Sequence, residues 1–163
     1  MFREMRRSRQ ALSRETCEQI LKENTSGVLA VSGNDGYPYA VPLSYVYEDG
    51  VIYFHGAPAG HKIDAIAADG KVSFCVVSQD EIHPEKYTAY YRSVIAFGKA
   101  QVITDEDEKW KALLLIAGKY APLQAADHRE AIGSHFKHAC IIRLSVEHMS
   151  GKEALALVTP PAP

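Results

Sequence analysis

Residues 37–55 run Tyr37-Pro38-Tyr39-Ala40-Val41-Pro42-Leu43-Ser44-Tyr45-Val46-Tyr47-Glu48-Asp49-Gly50-Val51-Ile52-Tyr53-Phe54-His55. Tyr and Val dominate both halves, and Glu48-Asp49-Gly50 is a turn signal between them. The stretch therefore reads as a long strand, Tyr37 to Tyr47, folded back into a second, Val51 to His55. Just upstream, the apolar run Val28-Leu29-Ala30-Val31 is closed by Gly33-Asn34-Asp35-Gly36, another turn. Two hairpins in succession make an antiparallel meander.

Helical periods flank the meander. Ser13 is a plausible N-cap, and Cys17, Ile20 and Leu21 follow at helical spacing as far as Asn24. Ala57 to Asp69 carries Ile63, Ile66 and Ala67 at i, i+3, i+4, with the helix starting near His61. Lys71 to Ser78 predicts a fourth strand, Gln79 to Thr88 a polar loop holding Pro84, and Tyr90 to Ile103 a fifth strand. Thr104 is read as the cap of a helix whose first turn, Asp105 to Glu108, is acidic, as the helix dipole favours. Trp110, Leu113, Leu114 and Ala117 form its apolar stripe. A weaker helix over Asp127 to Phe136 and a last strand over Ala139 to Glu147 complete the order. This order predicts a mainly β fold with accessory helices, a small closed antiparallel barrel. A doubly wound parallel sheet would need a helix between nearly all strands and a Gly-rich phosphate loop, and neither is present. One domain is expected over 1–153, with a flexible tail over 154–163 ending in the Pro-rich stretch Thr159 to Pro163.

Composition narrows the function. Eighteen Lys and Arg against twenty Asp and Glu give a net charge of −2, which argues against nucleic acid as a partner. The basic start (Arg3, Arg6, Arg7, Arg9) is followed by no apolar segment, so it reads as a solvated or interface arm and not as a secretory signal. No apolar run approaches a membrane span. Three cysteines without a C-x-x-C pair fit a reducing, cytoplasmic setting. His135-x-x-His138-x-Cys140 matches no zinc spacing, and no G-x-S-x-G elbow is present, so no metal site or serine nucleophile is expected.

Three segments carry chemistry. Pro42 sits inside an apparent strand, where it marks either an edge or bulge, or a ladder interrupted so that backbone groups face a ligand. Gly56 to Asp64 leads into a helix start that is a potential anion site. There Lys62 opposes the helix dipole, an arrangement explained by a phosphate or by plain solvation offset by Asp64. In Tyr90 to Gly98, alternation puts Arg92 on the apolar face of Val94 and Ala96, where it needs either a carboxylate or a phosphate.

In order and spacing, these stretches resemble the flavin-binding split barrel of the pyridoxamine 5′-phosphate oxidase superfamily, within it the 5-nitroimidazole reductase (nitroimidazole-resistance) family. The matching segments are Met1 to Arg7, Thr25 to Ala30, Asp35 to Val46, Tyr53-Phe54-His55, Gly60 to Ala65, Tyr91 to Val94 and Ser150 to Glu153. The resemblance implies a six-stranded antiparallel split β-barrel with peripheral helices, paired as a homodimer with FMN, or alternatively FAD, at the interface. It sets the backbone of Val41, Pro42, Leu43 and Ser44 along the flavin's polar edge, with Phe54 and His55 beside it. It sets Gly60, His61 and Lys62 at the phosphate, Arg92 and Ser93 nearby, and brings Lys152 in late in the chain from either subunit. His55 is the implied catalytic residue, close to the flavin ring. The implied activity is an FMN-dependent reductase of a small acceptor such as a nitroimidazole or other nitroaromatic. The alternative is a flavin- or haem-binding sensor or storage protein with little turnover.

Overall fold

A computed structural model of the chain describes residues 2–158. Helix α1 (Arg14–Glu23) is capped by Ser13, whose side chain accepts from the Thr16 N–H. The strands are β1 (Ser26–Ser32), β2 (Pro38–Glu48), β3 (Val51–Gly56), β4 (Lys71–His83), β5 (Thr88–Val102) and β6 (Cys140–Glu153). Helix α2 (His61–Ala68) joins β3 to β4, and α3 (Glu106–Tyr120) and α4 (His128–His135) join β5 to β6. The strands close a barrel in the order β1-β2-β3-β6-β5-β4, every pair antiparallel.

Alternation splits each strand between two environments. Inward side chains fill the barrel: Leu29, Tyr45, Phe54, Phe74, Val76, Val94, Ala96 and Leu144 are all fully buried. Phe74 lies edge-on to both Tyr45 and Phe54. Burial pushes the Tyr45 hydroxyl pKa well up. Helix α1 contributes Cys17, Ile20 and Leu21 to this core, and α2 contributes Ala65 and Ile66. A second core lies outside the barrel, where α3 and α4 cover Val46, Tyr53 and Ile141 with Ala112, Leu113 and Ile132. Tyr120 pins α3 in place: its hydroxyl accepts from the Tyr45 N–H and has both the Tyr45 and Thr25 carbonyls within reach of its one proton.

The rest of the outer surface is largely open, with Phe2 stacked on His148 and set against Phe97 at one end. Register aligns Pro42, Val28, Cys75, Ile95 and Ser150 in one row across five strands, and Ala40, Ala30, Ser73, Phe97 and His148 in the next. No Lys, Arg, Asp or Glu falls in either row. Val28, Val77 and Ile95 are 40%, 58% and 37% exposed on this face.

Four expectations need correction. Gln79 to Thr88 is not a loop, because β4 and β5 stay paired from Gln79↔Arg92 to His83↔Thr88. Both faces of this arm are solvated, so it lacks the alternation that marks a strand in sequence. Strand β6 continues to Glu153, well past Glu147, with Met149 packed on the core and Gly151 buried against Cys17 and Leu12, a glycine standing where alternation would show an apolar side chain. Asp105, not Thr104, caps α3, accepting from the Glu108 N–H. Ala154, first residue of the expected tail, is buried and donates its N–H to the Tyr91 carbonyl. Thr159 to Pro163 lie outside the described residues.

Where β5 shifts register against β6, at Phe97/Gly98, the chains come very close. A Cβ on Gly98 would sit 2.0 Å from the Ser145 carbonyl oxygen. Backbone cannot move aside there as a side chain end would. Gly98→Ala is therefore expected to destabilise the fold by about 1–3 kcal/mol, read as a lower urea midpoint with an unchanged slope.

Candidate functional site

Strand β2 is paired with β1 over its first seven residues without a break, from Ser32↔Pro38 to Ser26↔Ser44. Pro42 faces Val28 in that register, so the ladder is not interrupted there. The opposite edge of β2 is a different matter. Its pairing with β3 covers only Tyr45↔Phe54 to Glu48↔Val51. From Ser44 back to Pro38 the strand is an edge on that side, which is where a proline is tolerated. Val41 and Leu43 turn inward against the core, while Pro42 and Ser44 are exposed. The backbone of residues 41–44 thus borders an open seam.

Across the seam β3 leaves β2 and continues along β6 through His55↔Ile141 and Gly56↔Cys140. Alternation decides what this end offers. Phe54 is fully buried between the core aromatics. Its side chain is accordingly not open to a ligand outside the barrel, a correction to its expected place at the flavin, and its role is to fix the strand. His55 points the other way and is exposed, with no hydrogen bond or ion pair among the described residues.

Helix α2 begins at the same end. Gly60 adopts φ +123°, a conformation that favours glycine, and its carbonyl accepts from the Ile63 and Asp64 N–H groups. The N–H groups of His61 and Lys62 are left over at the helix start. His61 stacks on Tyr39 with ring centroids 4.1 Å apart, tying α2 to β2. The Lys62 side chain folds back over Gly56, where a Cβ would lie 3.4 Å from its Nζ. Its charge reaches Cys140: burial raises that thiol's pKa, and Lys109 and Lys62 oppose the rise. The seam therefore gathers an unpaired strand edge, an exposed imidazole, free helical N–H groups and an ammonium group.

Arg92, Ser93 and Lys152 are elsewhere. Arg92 Nε donates to Glu153 Oε2 at 3.0 Å, so the arginine's partner is a carboxylate. Ser93 pairs with Lys152 across the β5–β6 ladder, and Lys152 Nζ lies 5.4 Å from the Tyr91 ring centroid. Lys62 sits by Cys140 at the start of β6, and Arg92 by Glu153 at its end. The 14 residues between these ends span roughly 45 Å at ~3.3 Å per residue of extended strand. One chain holds Lys62 and Arg92 near opposite ends of β6, so their expected convergence requires a second copy of the chain. Sequence reasoning also left Tyr39 and Glu153 without a role, although both lie in segments it singled out. Strand spacing gives their faces but not their partners.

The sequence profile described as pyridoxamine 5′-phosphate oxidase matches residues 13–153. No curated protein matches the chain in sequence. Among solved structures, an FAD-binding protein from Mesorhizobium loti is 28% identical with a TM-score of 0.62, over 89% of this chain and 97% of that one. A candidate 5-nitroimidazole antibiotic resistance protein from Bacteroides thetaiotaomicron is 23% identical with a TM-score of 0.74, over 88% and 86%. A flavocytochrome from Azotobacter vinelandii is 22% identical with a TM-score of 0.80, over 98% and 75%. The last two likenesses show the shared fold.

Proposed function

The chain belongs to the pyridoxamine 5′-phosphate oxidase family, and from that premise we propose that it is a flavoprotein reductase. In this reading it binds FMN at the β2–β3 seam and reduces a small flat acceptor such as a nitroaromatic. The observation that carries the proposal is the seam itself. The open edge at Val41 to Ser44 can satisfy the polar rim of a flat ring system. The free His61 and Lys62 N–H groups and the Lys62 ammonium suit a phosphate. The FAD-binding relative supports a flavin in this fold.

When bound, flavin supplies the electron transfer between a donor and the acceptor. The chain's own residues supply the rest. Lys62 and the start of α2 hold the phosphate, and the β2 backbone orients the ring. His55 carries a proton at an imidazole nitrogen on the open side, where it can be donated to a reduced acceptor.

Arg92, Ser93 and Lys152 join the same scheme through a second copy of the chain. The two uncharged rows centred on Val28, Cys75 and Ile95 form a face that no helix covers among the described residues. Pairing two chains on that face buries it and adds the opposite barrel end of one copy to the seam of the other. In this reading the protein is a homodimer, and the Arg92 end belongs to the partner's flavin site.

Each part has its own test. Lys62→Glu replaces attraction for a phosphate by repulsion and should weaken FMN binding about a hundredfold with the circular dichroism spectrum unchanged. Full flavin content in that variant would remove Lys62 from the site. His55→Ala should keep flavin and slow reduction of a nitroaromatic by roughly a hundredfold. Turnover at the parent rate would reduce His55 to a surface residue. Ile95→Lys sets two like charges into a symmetric contact and should give a monomer by light scattering, with FMN lost. A dimer that survives this change would place the interface elsewhere.

A further inference from the structure

The N-terminal arginines are not carried on a loose arm. Ser8–Gln10 forms a 3-10 turn, and Gln10 is only 5% exposed. Its Nε2 donates to the Glu153 carbonyl at 2.8 Å, and the Leu12 N–H donates to the Gly151 carbonyl at 3.0 Å. Ala11 bridges Lys152 between these two anchors. The segment is thus held on the end of β6 like a short added strand.

Arg6, Arg7 and Arg9 line one cavity of about 410 Å³ beside this anchor. Ser8, Gln10 and Leu155 complete its wall, and no Asp or Glu is among the lining residues. None of the three guanidinium groups has a carboxylate within 4.0 Å among the described residues. Glu153, which shares this end of β6, is already paired with Arg92. Holding three like charges on a pinned segment costs electrostatic free energy, in a chain whose net charge is −2. An anion bridging them reverses that cost. Guanidinium forks match phosphate oxygens two at a time, and two linked phosphates match several guanidinium groups better than one. The cavity is larger than a phosphate needs and lies within the usual range for small-molecule sites. Leu155, 60% exposed, gives it an apolar side against which a ring can rest.

We propose that this pocket binds the diphosphate of a nucleotide, with the ring of the nucleotide against Leu155. The pocket stands without the flavin reading, but the kind of nucleotide rests on it. A diphosphate nucleotide is common to FAD and to a nicotinamide dinucleotide donor, and either can reach an oxidoreductase site.

ADP is the probe, titrated by calorimetry into the purified full-length protein as isolated. One ADP per chain is expected to bind saturably, more weakly as salt rises. The triple variant Arg6→Gln, Arg7→Gln, Arg9→Gln should weaken ADP about tenfold or more while FMN affinity and melting temperature hold. If the triple variant melts early, Arg6→Gln alone carries the same comparison at smaller effect. Absence of saturable binding in the parent protein, or equal ADP affinity in a folded variant, overturns the proposal. Competition separates the sources. NADPH displacing ADP while bound FMN stays identifies a free donor. FAD displacing both, with its advantage over FMN lost in the variant, identifies the tail of the flavin itself. Colourless protein that still binds ADP would sink the flavin reading and leave the nucleotide pocket standing.

Discussion

A barrel of six strands has no room inside for anything but its own side chains. Eight strands already give an interior that side chains fill, and here Tyr45, Phe54 and Phe74 meet at the centre, each fully buried. The two ends are stoppered by α1 and α2, which bury Leu21 and Ile66. Any ligand must therefore be held on the outside or at an open strand edge. That constraint sends function to the places where the ladder stops, and the earliest stop is between β2 and β3 after Tyr45↔Phe54. Everything assigned to the candidate site follows from this parting: a free backbone edge, an imidazole at the strand end and a helix start beneath it.

The same constraint explains the use of the outer surface. Helices α3 and α4 cover the β2, β3 and β6 flank and form a second core there, fixed by the Tyr120 hydroxyl on the Tyr45 backbone. The remaining flank has rows of Val, Ile, Cys, Ala and Ser in cross-strand register and no charge to keep it in water. A surface built that way is stabilised by burial against another surface. In the proposed dimer, a contact between two chains on this face would join barrel ends that a single chain holds apart.

Charge is distributed with the same logic. The helix α2 start leaves Lys62 over Gly56 without a carboxylate among the described residues, and Arg6, Arg7 and Arg9 have none either, Arg7 donating only to Gln10 Oε1 at 3.5 Å. Arg92, by contrast, has Glu153, which is itself 13% exposed. A cation already satisfied by a carboxylate is less available to an anionic ligand than one left in the open. Geometry, not residue type, ranks these cations as ligand groups.

Much of the fold was legible in the chain. The meander from Val28 to His55, the helix from Ser13, the start of α2 near His61 and the order of all elements are local patterns, set by alternation, periodicity and caps that act over a few residues. Sequence resemblance also picked out the segments that line the seam. The arm over Gln79 to Thr88 was not legible, because a strand solvated on both faces carries no apolar alternation, and the end of β6 was not, because its inward place at Gly151 is held by a glycine packed against Cys17 and Leu12. The faces of Phe54 and His55 followed from spacing, yet only the packed barrel decided that Phe54 is core. Only tertiary structure set Pro42 on an open edge, gave Arg92 to Glu153 and placed Arg92 and Lys62 at opposite ends of β6. Local sequence fixes which way a side chain points along its own strand; register between strands distant in sequence fixes what it meets, and that comes from the closing of the whole barrel.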